Sequence, residues 1–264
     1  DGDGLREVRA VLPSTRLLEG GGFPVRRPLP TGELAQLDPF LLLDEMGPVD
    51  WAPGEAIGAP DHPHRGFETV TYLLEGSFEH RDSAGNQGVL QPGDVQWMTA
   101  GSGIIHSELP SAELKKRGGR VHGFQIWVNL PRADKWIAPR YQDIPATRIP
   151  EVRGEDFTLR IIAGQAQGAS AVNDTRIPIT YLHFTLGPNA SVRQALPAEQ
   201  AALVYLFRGT LDTAGGAVLD GQLLRYDAQR GAIALQAGAE GADLLLLGGR
   251  PLGDMVGELA NGEG

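Results

Sequence analysis

Asp61-His62-Pro63-His64-Arg65-Gly66-Phe67-Glu68 and, further along, Gly101-Ser102-Gly103-Ile104-Ile105-His106-Ser107-Glu108 are the two stretches that decide how this chain reads. Between them run the strand-like Thr69-Val70-Thr71-Tyr72-Leu73-Leu74-Glu75-Gly76 and the turn Gln91-Pro92-Gly93-Asp94. Successive side chains of a β-strand point to opposite faces, so residues two apart share a face at about 7 Å. His62 with His64 is one such pair, and His106 with Glu108 is another. If their strands face each other across a barrel, three imidazoles and a carboxylate converge with room left for water. A set of imidazoles and one carboxylate with open positions suits a redox-active divalent metal, Fe(II) first, with Mn, Cu, Ni and Zn as alternatives. The chain has no cysteine, so a thiolate site is excluded. From spacing alone Glu68 competes with Glu108 for the carboxylate position.

Outward from these motifs the chain reads as many short strands punctuated by Gly and Pro. Strands are predicted at Arg6–Val11, Phe40–Asp44, Glu68–Glu75, Ser77–Asp82, Val95–Thr99, His122–Leu130, Leu159–Ala163, Tyr181–Leu186, Ala202–Arg208 and Asp243–Gly249. Short strands with frequent turns and little helix mean an all-β chain of sandwiches or closed barrels.

A length of 264 residues suits one large or two ordinary domains. Thr71-Tyr72-Leu73-Leu74-Glu75-Gly76-Ser77 recurs as Val204-Tyr205-Leu206-Phe207-Arg208-Gly209-Thr210, each a hydrophobic strand ending at a glycine. With Gly76 set on Gly209, the positions of His62, His64 and Glu68 fall on Ala195, Pro197 and Ala201. The second half thus repeats the fold without the ligands. The boundary is expected between Lys135 and Glu151, where Pro139, Pro145 and Pro150 stiffen a connection, giving domains of 1–138 and 139–264, the latter ending in a tail.

Composition removes several function classes. No apolar run approaches the roughly 20 residues that span a bilayer, and Asp1-Gly2-Asp3-Gly4 lacks the features of a signal peptide, so a cytoplasmic location is expected. The formal net charge of −10 disfavours phosphate backbones, and the run Lys115-Lys116-Arg117 with Arg120 reads as a solvated turn rather than a nucleic-acid face.

His-x-His-x3-Glu, the seven-residue gap to Gly76, Pro92-Gly93-Asp94 and a later histidine resemble the two metal motifs of cupin barrels. The chain departs from the general pattern in having one extra residue before the closing glycine, and in placing His106 five rather than three residues after Gly101. Those departures match one branch. Asp38-Pro39-Phe40-Leu41-Leu42-Leu43-Asp44-Glu45, Asp61 to Val70, Pro92 to Gly101, Gly103 to Glu108 and Gln125-Ile126-Trp127-Val128-Asn129-Leu130-Pro131 resemble the pirin family. The likeness is dense over about residues 35–132 and architectural beyond.

The resemblance implies a bicupin, two antiparallel β-barrels packed face to face, with one mononuclear iron in the N-terminal barrel. Carried over residue by residue, its ligands fall on His62, His64, His106 and Glu108. Glu68 then braces the site or is structural. Asp44, Met46, Arg65, Phe67 and Gln125 are expected at the pocket mouth. His80, beside a polar hairpin, is expected at the surface, while His122, His183, Trp97 and Met98 read as packing residues.

Some pirins open the flavonol quercetin with dioxygen. On that reading the substrate is a small flavonol-like aromatic together with dioxygen, and Glu108 both ligates and takes the 3-hydroxyl proton. The rival implication is a non-enzymatic regulator that binds a protein partner, with the metal as a redox switch.

Overall fold

The computed structural model describes residues 4–253 of the 264, so the expected C-terminal tail beyond residue 253 lies outside the described residues. The all-β expectation holds: the sheets are built of antiparallel strand pairs, with one isolated parallel bridge between Leu5 and Ala232, and the described residues contain one short α-helix. No helix among them is long and apolar enough to cross a membrane.

The chain divides into two compact units, one of residues 16–30 and 39–146, the other of residues 4–15, 31–38 and 147–251. The strands up to residue 144 are β1 (Ala10–Pro13), β2 (Thr15–Glu19), β3 (Phe23–Leu29), β4 (Phe40–Trp51), β5 (Ala59–His64), β6 (Phe67–Glu75), β7 (Phe78–Asp82), β8 (Gln87–Leu90), β9 (Val95–Thr99), β10 (Ile104–Pro110), β11 (Gly119–Asn129) and β12 (Arg140–Ile144). In the first unit a seven-stranded sheet of order β12-β9-β6-β11-β4-β3-β2 is accompanied by a four-stranded sheet of order β5-β10-β7-β8.

The second unit repeats the larger sheet. Its central strands, Ala201–Thr213 and Ala232–Gly249, are followed outward on one side by Ile179–Leu186 and Phe157–Ala163, and on the other by Gln222–Tyr226 and β1. The repeat in sequence is a repeat in place, because Phe67–Glu75 and Ala201–Thr213 hold the same rank in their sheets. Both bend at a left-handed glycine, Gly76 at φ 95° and Gly209 at φ 83°. At Gly209 a Cβ would meet the Gly241 carbonyl, so only glycine fits that bend.

Two boundaries differ from the sequence expectation. The units part between residues 146 and 147, inside the expected Lys135–Glu151 interval but beyond residue 138, because residues 140–144 extend the first sheet as β12. The N-terminal segment joins the second unit, where Ala10–Pro13 pairs with Gln222–Arg225. The cause is a long-range anchor: Arg6, 4% exposed, donates to the carbonyls of Gly231, Gln200, Leu196 and Pro197, which ties that segment down.

Lys115-Lys116-Arg117 also differs, ending a helix (Ala112–Arg117) rather than forming a loop. Ser111 caps it by accepting from the Leu114 amide, and three cations in the last turn suit the negative end of the helix. They remain solvated, as expected.

The interior of the second unit is a continuous apolar cluster that includes Leu159, Ile161, Leu182, Phe184, Val204, Leu206, Leu224, Ile233, Leu244 and Leu246. Among the described residues, the one group of imidazoles and carboxylates close enough to hold a metal lies in the first unit.

Candidate metal centre

Strands β5 and β10 pair antiparallel, with His62 opposite His106 and Ile104 opposite His64. The alternation of each strand turns His62, His64 and His106 to the same side. Their ring centroids are 4.7 Å apart for His62 and His64, 4.5 Å for His62 and His106, and 5.0 Å for His64 and His106. Each ring offers a nitrogen, and the three nitrogens lie within 4.8 Å of one another. A register shift falls between His106 and Glu108, a β-bulge of the kind that re-aims a side chain beside a site.

The protonation states follow from the surroundings. His62 places Nδ1 2.7 Å from the Pro60 carbonyl oxygen, which accepts only if Nδ1 carries the proton, leaving Nε2 with a lone pair. Burial, reinforced by the neighbouring His106 and His62, drives His64 down to about 3, so its ring is neutral at physiological pH. Burial also lowers His106, with Glu108 pulling the other way. His106 is 1% exposed, and neither of its ring nitrogens has a hydrogen-bond partner among the described residues. A buried imidazole without partners is costly, and beside two other lone-pair donors it fits a metal ligand. The donor set therefore suits a divalent cation.

Glu108 stands at the edge of this cluster. Its Oε2 lies 4.0 Å from His106 Nε2, and its Oε1 accepts from the Thr71 hydroxyl at 2.9 Å. Glu68 stands apart from the three imidazoles. It is fully buried in β6 and accepts from Thr99 Oγ1 at 2.6 Å. By strand alternation it points away from the side on which Phe67 and Thr71 lie.

The expected pocket residues are placed unequally. Phe67 packs on His64 with ring centroids 5.3 Å apart, and Gln125 lies 2.7 Å from Thr71 Oγ1. Asp44 is buried and held by a two-pronged contact with Arg27 at 2.7 and 2.6 Å. Met46 packs against the apolar cluster of Phe23, Val25 and Val121. Arg65 is exposed and lies over Trp136 at 5.7 Å.

His80 corrects the surface expectation, for it is 3% exposed and stacked on Tyr141 at 5.4 Å. Asp82 two residues later terminates the hairpin through the Ala84 and Asn86 amides, which leaves His80 on the inward side of β7 opposite Glu108. His122 Nε2 donates to Glu45 Oε1 at 2.9 Å, and His183 lies against Phe207 at 5.5 Å. Trp97 and Met98 are fully buried in β9.

Sequence reasoning missed Thr71, His80, Trp127 and Tyr141 as part of this interior. Trp127 packs on both His64 and Phe67, at 5.3 and 4.7 Å. The available signal was alternation: Trp127 is two residues from Gln125, and Thr71 is four from Phe67.

The family model described as "Pirin" matches residues 22–128, and that described as "Pirin C-terminal cupin domain" matches residues 181–259. A pirin-like protein of Solanum lycopersicum is 45% identical over 191 residues, 72% of this chain and 62% of that protein. Human pirin is 44% identical over 205 residues, 77% of this chain and 67% of that protein. The chain thus spans roughly two thirds of the length of these relatives. Among solved structures, one of a quercetin 2,3-dioxygenase from Acinetobacter baumannii superposes with a TM-score of 0.90 at 32% identity, covering 99% of this chain and 91% of that chain.

Proposed function

The chain belongs to the pirin family, and from that premise we propose that its N-terminal barrel is a mononuclear Fe(II)-dependent dioxygenase site acting on a flavonol of the quercetin type. The observation that carries the proposal is the trio of His62, His64 and His106, with His64 neutral by burial and the ring nitrogens of His106 unpartnered among the described residues. The name of the Acinetobacter structure supports the reaction class.

In this reading His62, His64 and His106 hold the metal and Glu108 completes the set. A bound divalent iron with open positions supplies polarisation of the flavonol oxygens and electron transfer toward dioxygen. The rest belongs to the chain. Glu108, whose Oε2 lies 4.0 Å from His106 Nε2, takes the 3-hydroxyl proton of the flavonol. Phe67 and Trp127 border His64 with flat apolar surface, which suits a planar aromatic ligand and keeps water from that side.

The test is anaerobic Fe(II) loading followed by quercetin bleaching and oxygen uptake, with His62→Ala alongside. Metal-dependent uptake that disappears in the variant supports the proposal. Stoichiometric iron without uptake overturns the enzymatic reading and directs attention to a protein partner.

A further inference from the structure

Thr71 is a polar residue in the middle of a buried strand. It is 6% exposed, between Val70 and Tyr72, and a buried hydroxyl is retained at low cost only where it is hydrogen-bonded. The register across the seven-stranded sheet shows that it is not isolated. Asp44 pairs with Gln125, Gln125 with Thr71, and Thr71 with Gln96, so four polar side chains stand abreast on four neighbouring strands. Glu108, on β10 of the other sheet, meets this row at Thr71.

The hydrogen-bond directions follow from proton counting. The Thr71 hydroxyl carries one proton and has two neighbours, Glu108 Oε1 at 2.9 Å and the Gln125 amide at 2.7 Å through the position of its Oε1, an atom that exchanges with Nε2 when the amide is turned over. A carboxylate only accepts, whereas an amide offers both an oxygen and an NH2 group. If Thr71 donated to Gln125, two bare oxygens of Thr71 and Glu108 would face each other at hydrogen-bond distance. Both contacts are satisfied when the Gln125 NH2 donates to Thr71 Oγ1 and Thr71 donates to Glu108.

We infer that Thr71, oriented by Gln125, is the positioning residue that holds Oε1 of Glu108 and leaves Oε2 as the oxygen presented to the imidazole trio. Oε2 is the atom 4.0 Å from His106 Nε2, so the bond to Thr71 sorts the two carboxylate oxygens into one that is braced and one that is offered. The inference rests on the reading of Glu108 as a ligand. It adds that the geometry of that ligand is set from the opposite sheet.

Cobalt(II) is the probe, because its visible absorption reports ligand number and geometry without any turnover. The parent, Glu108→Gln, Thr71→Val and Thr71→Ser are titrated with the metal, their spectra recorded and their melting temperatures measured. Thr71→Ala replaces Thr71→Val if the valine form does not fold. Loss of the hydroxyl is expected to change the cobalt spectrum in the same direction as Glu108→Gln and to weaken cobalt binding about 10-fold or more, while Thr71→Ser restores the parent spectrum. A parent-like spectrum and affinity in the hydroxyl-free variant, with Glu108→Gln altered, overturns the positioning role alone. A parent-like spectrum in Glu108→Gln overturns the reading of Glu108 as a ligand, and the inference with it. Neither result depends on whether the protein oxidises quercetin.

Discussion

His106 stands directly opposite His62 across the β5 and β10 pair, their ring centroids 4.5 Å apart, and of the two His106 is the deeper. The pairing makes the site a property of two adjacent strands, so removing either imidazole should abolish stoichiometric metal binding. The consequences for stability differ. His106 buries two nitrogens that find no partner among the described residues, and such atoms cost about 1–3 kcal/mol each when left unsatisfied. His106→Leu is therefore expected to lose the metal while leaving the metal-free protein as stable as the parent or about 1 kcal/mol more stable. A denaturant titration of both metal-free proteins checks this, and a clear drop in stability would show that the nitrogens were satisfied.

Glu108 is expected to separate binding from chemistry. Glu108→Gln keeps the shape and one accepting oxygen but cannot take a proton at neutral pH. Three imidazoles remain, so metal content under saturating iron should stay near the parent value while quercetin turnover falls below detection. Full activity in a metal-loaded Glu108→Gln protein would remove Glu108 as the base.

The pH dependence of the metal-free protein has a definite sign. Burial holds His64 at about 3 against an ordinary value of 6.5. Between those values the unfolded chain binds a proton at this residue and the folded chain does not. Stability is therefore fully present above about pH 6.5 and is lost on acidification through that window, by up to about 1.4 kcal/mol per pH unit from this one group. His106, also lowered, contributes in the same direction. Urea midpoints at pH 7.5 and 5.5 read the slope, and His64→Leu should flatten it. An unchanged slope in that variant would place the acid sensitivity elsewhere.

Gly88 makes room for His80. A Cβ at position 88 would overlap His80 Nε2, and His80 is buried against Tyr141 and so cannot swing away freely. Gly88→Ala is expected to cost about 1–3 kcal/mol through this overlap. Thermal melting checks it; a neutral substitution would mean that His80 has a second place to go.

Read as letters alone, the chain already disclosed its all-β class, its internal repeat and the three imidazoles of its candidate site. The physical reason is that alternation and turn chemistry are local: His62 and His64 share a face because they are two apart, and Gly76 ends its strand at a left-handed turn, whereas Gly209 only bends a strand that runs on to Thr213. The family resemblance extended this to Glu108, which spacing left level with Glu68.

What the letters could not carry was everything decided by register between strands far apart in the chain. The long strand Ala232–Gly249 was legible only from Asp243 onward, because Gly238 and Gly241 break the pattern that a run of bulky residues would have shown. His80 looked exposed from its polar neighbours, and only the pairing of β7 with β10 turns it inward opposite Glu108. The attachment of residues 4–15 to the second unit depends on carbonyls that Arg6 meets some two hundred residues later. Likewise the row of Asp44, Gln125, Thr71 and Gln96 exists only once four strands lie side by side, since hydrogen bonding across a sheet, rather than proximity in sequence, sets which polar groups share one surface.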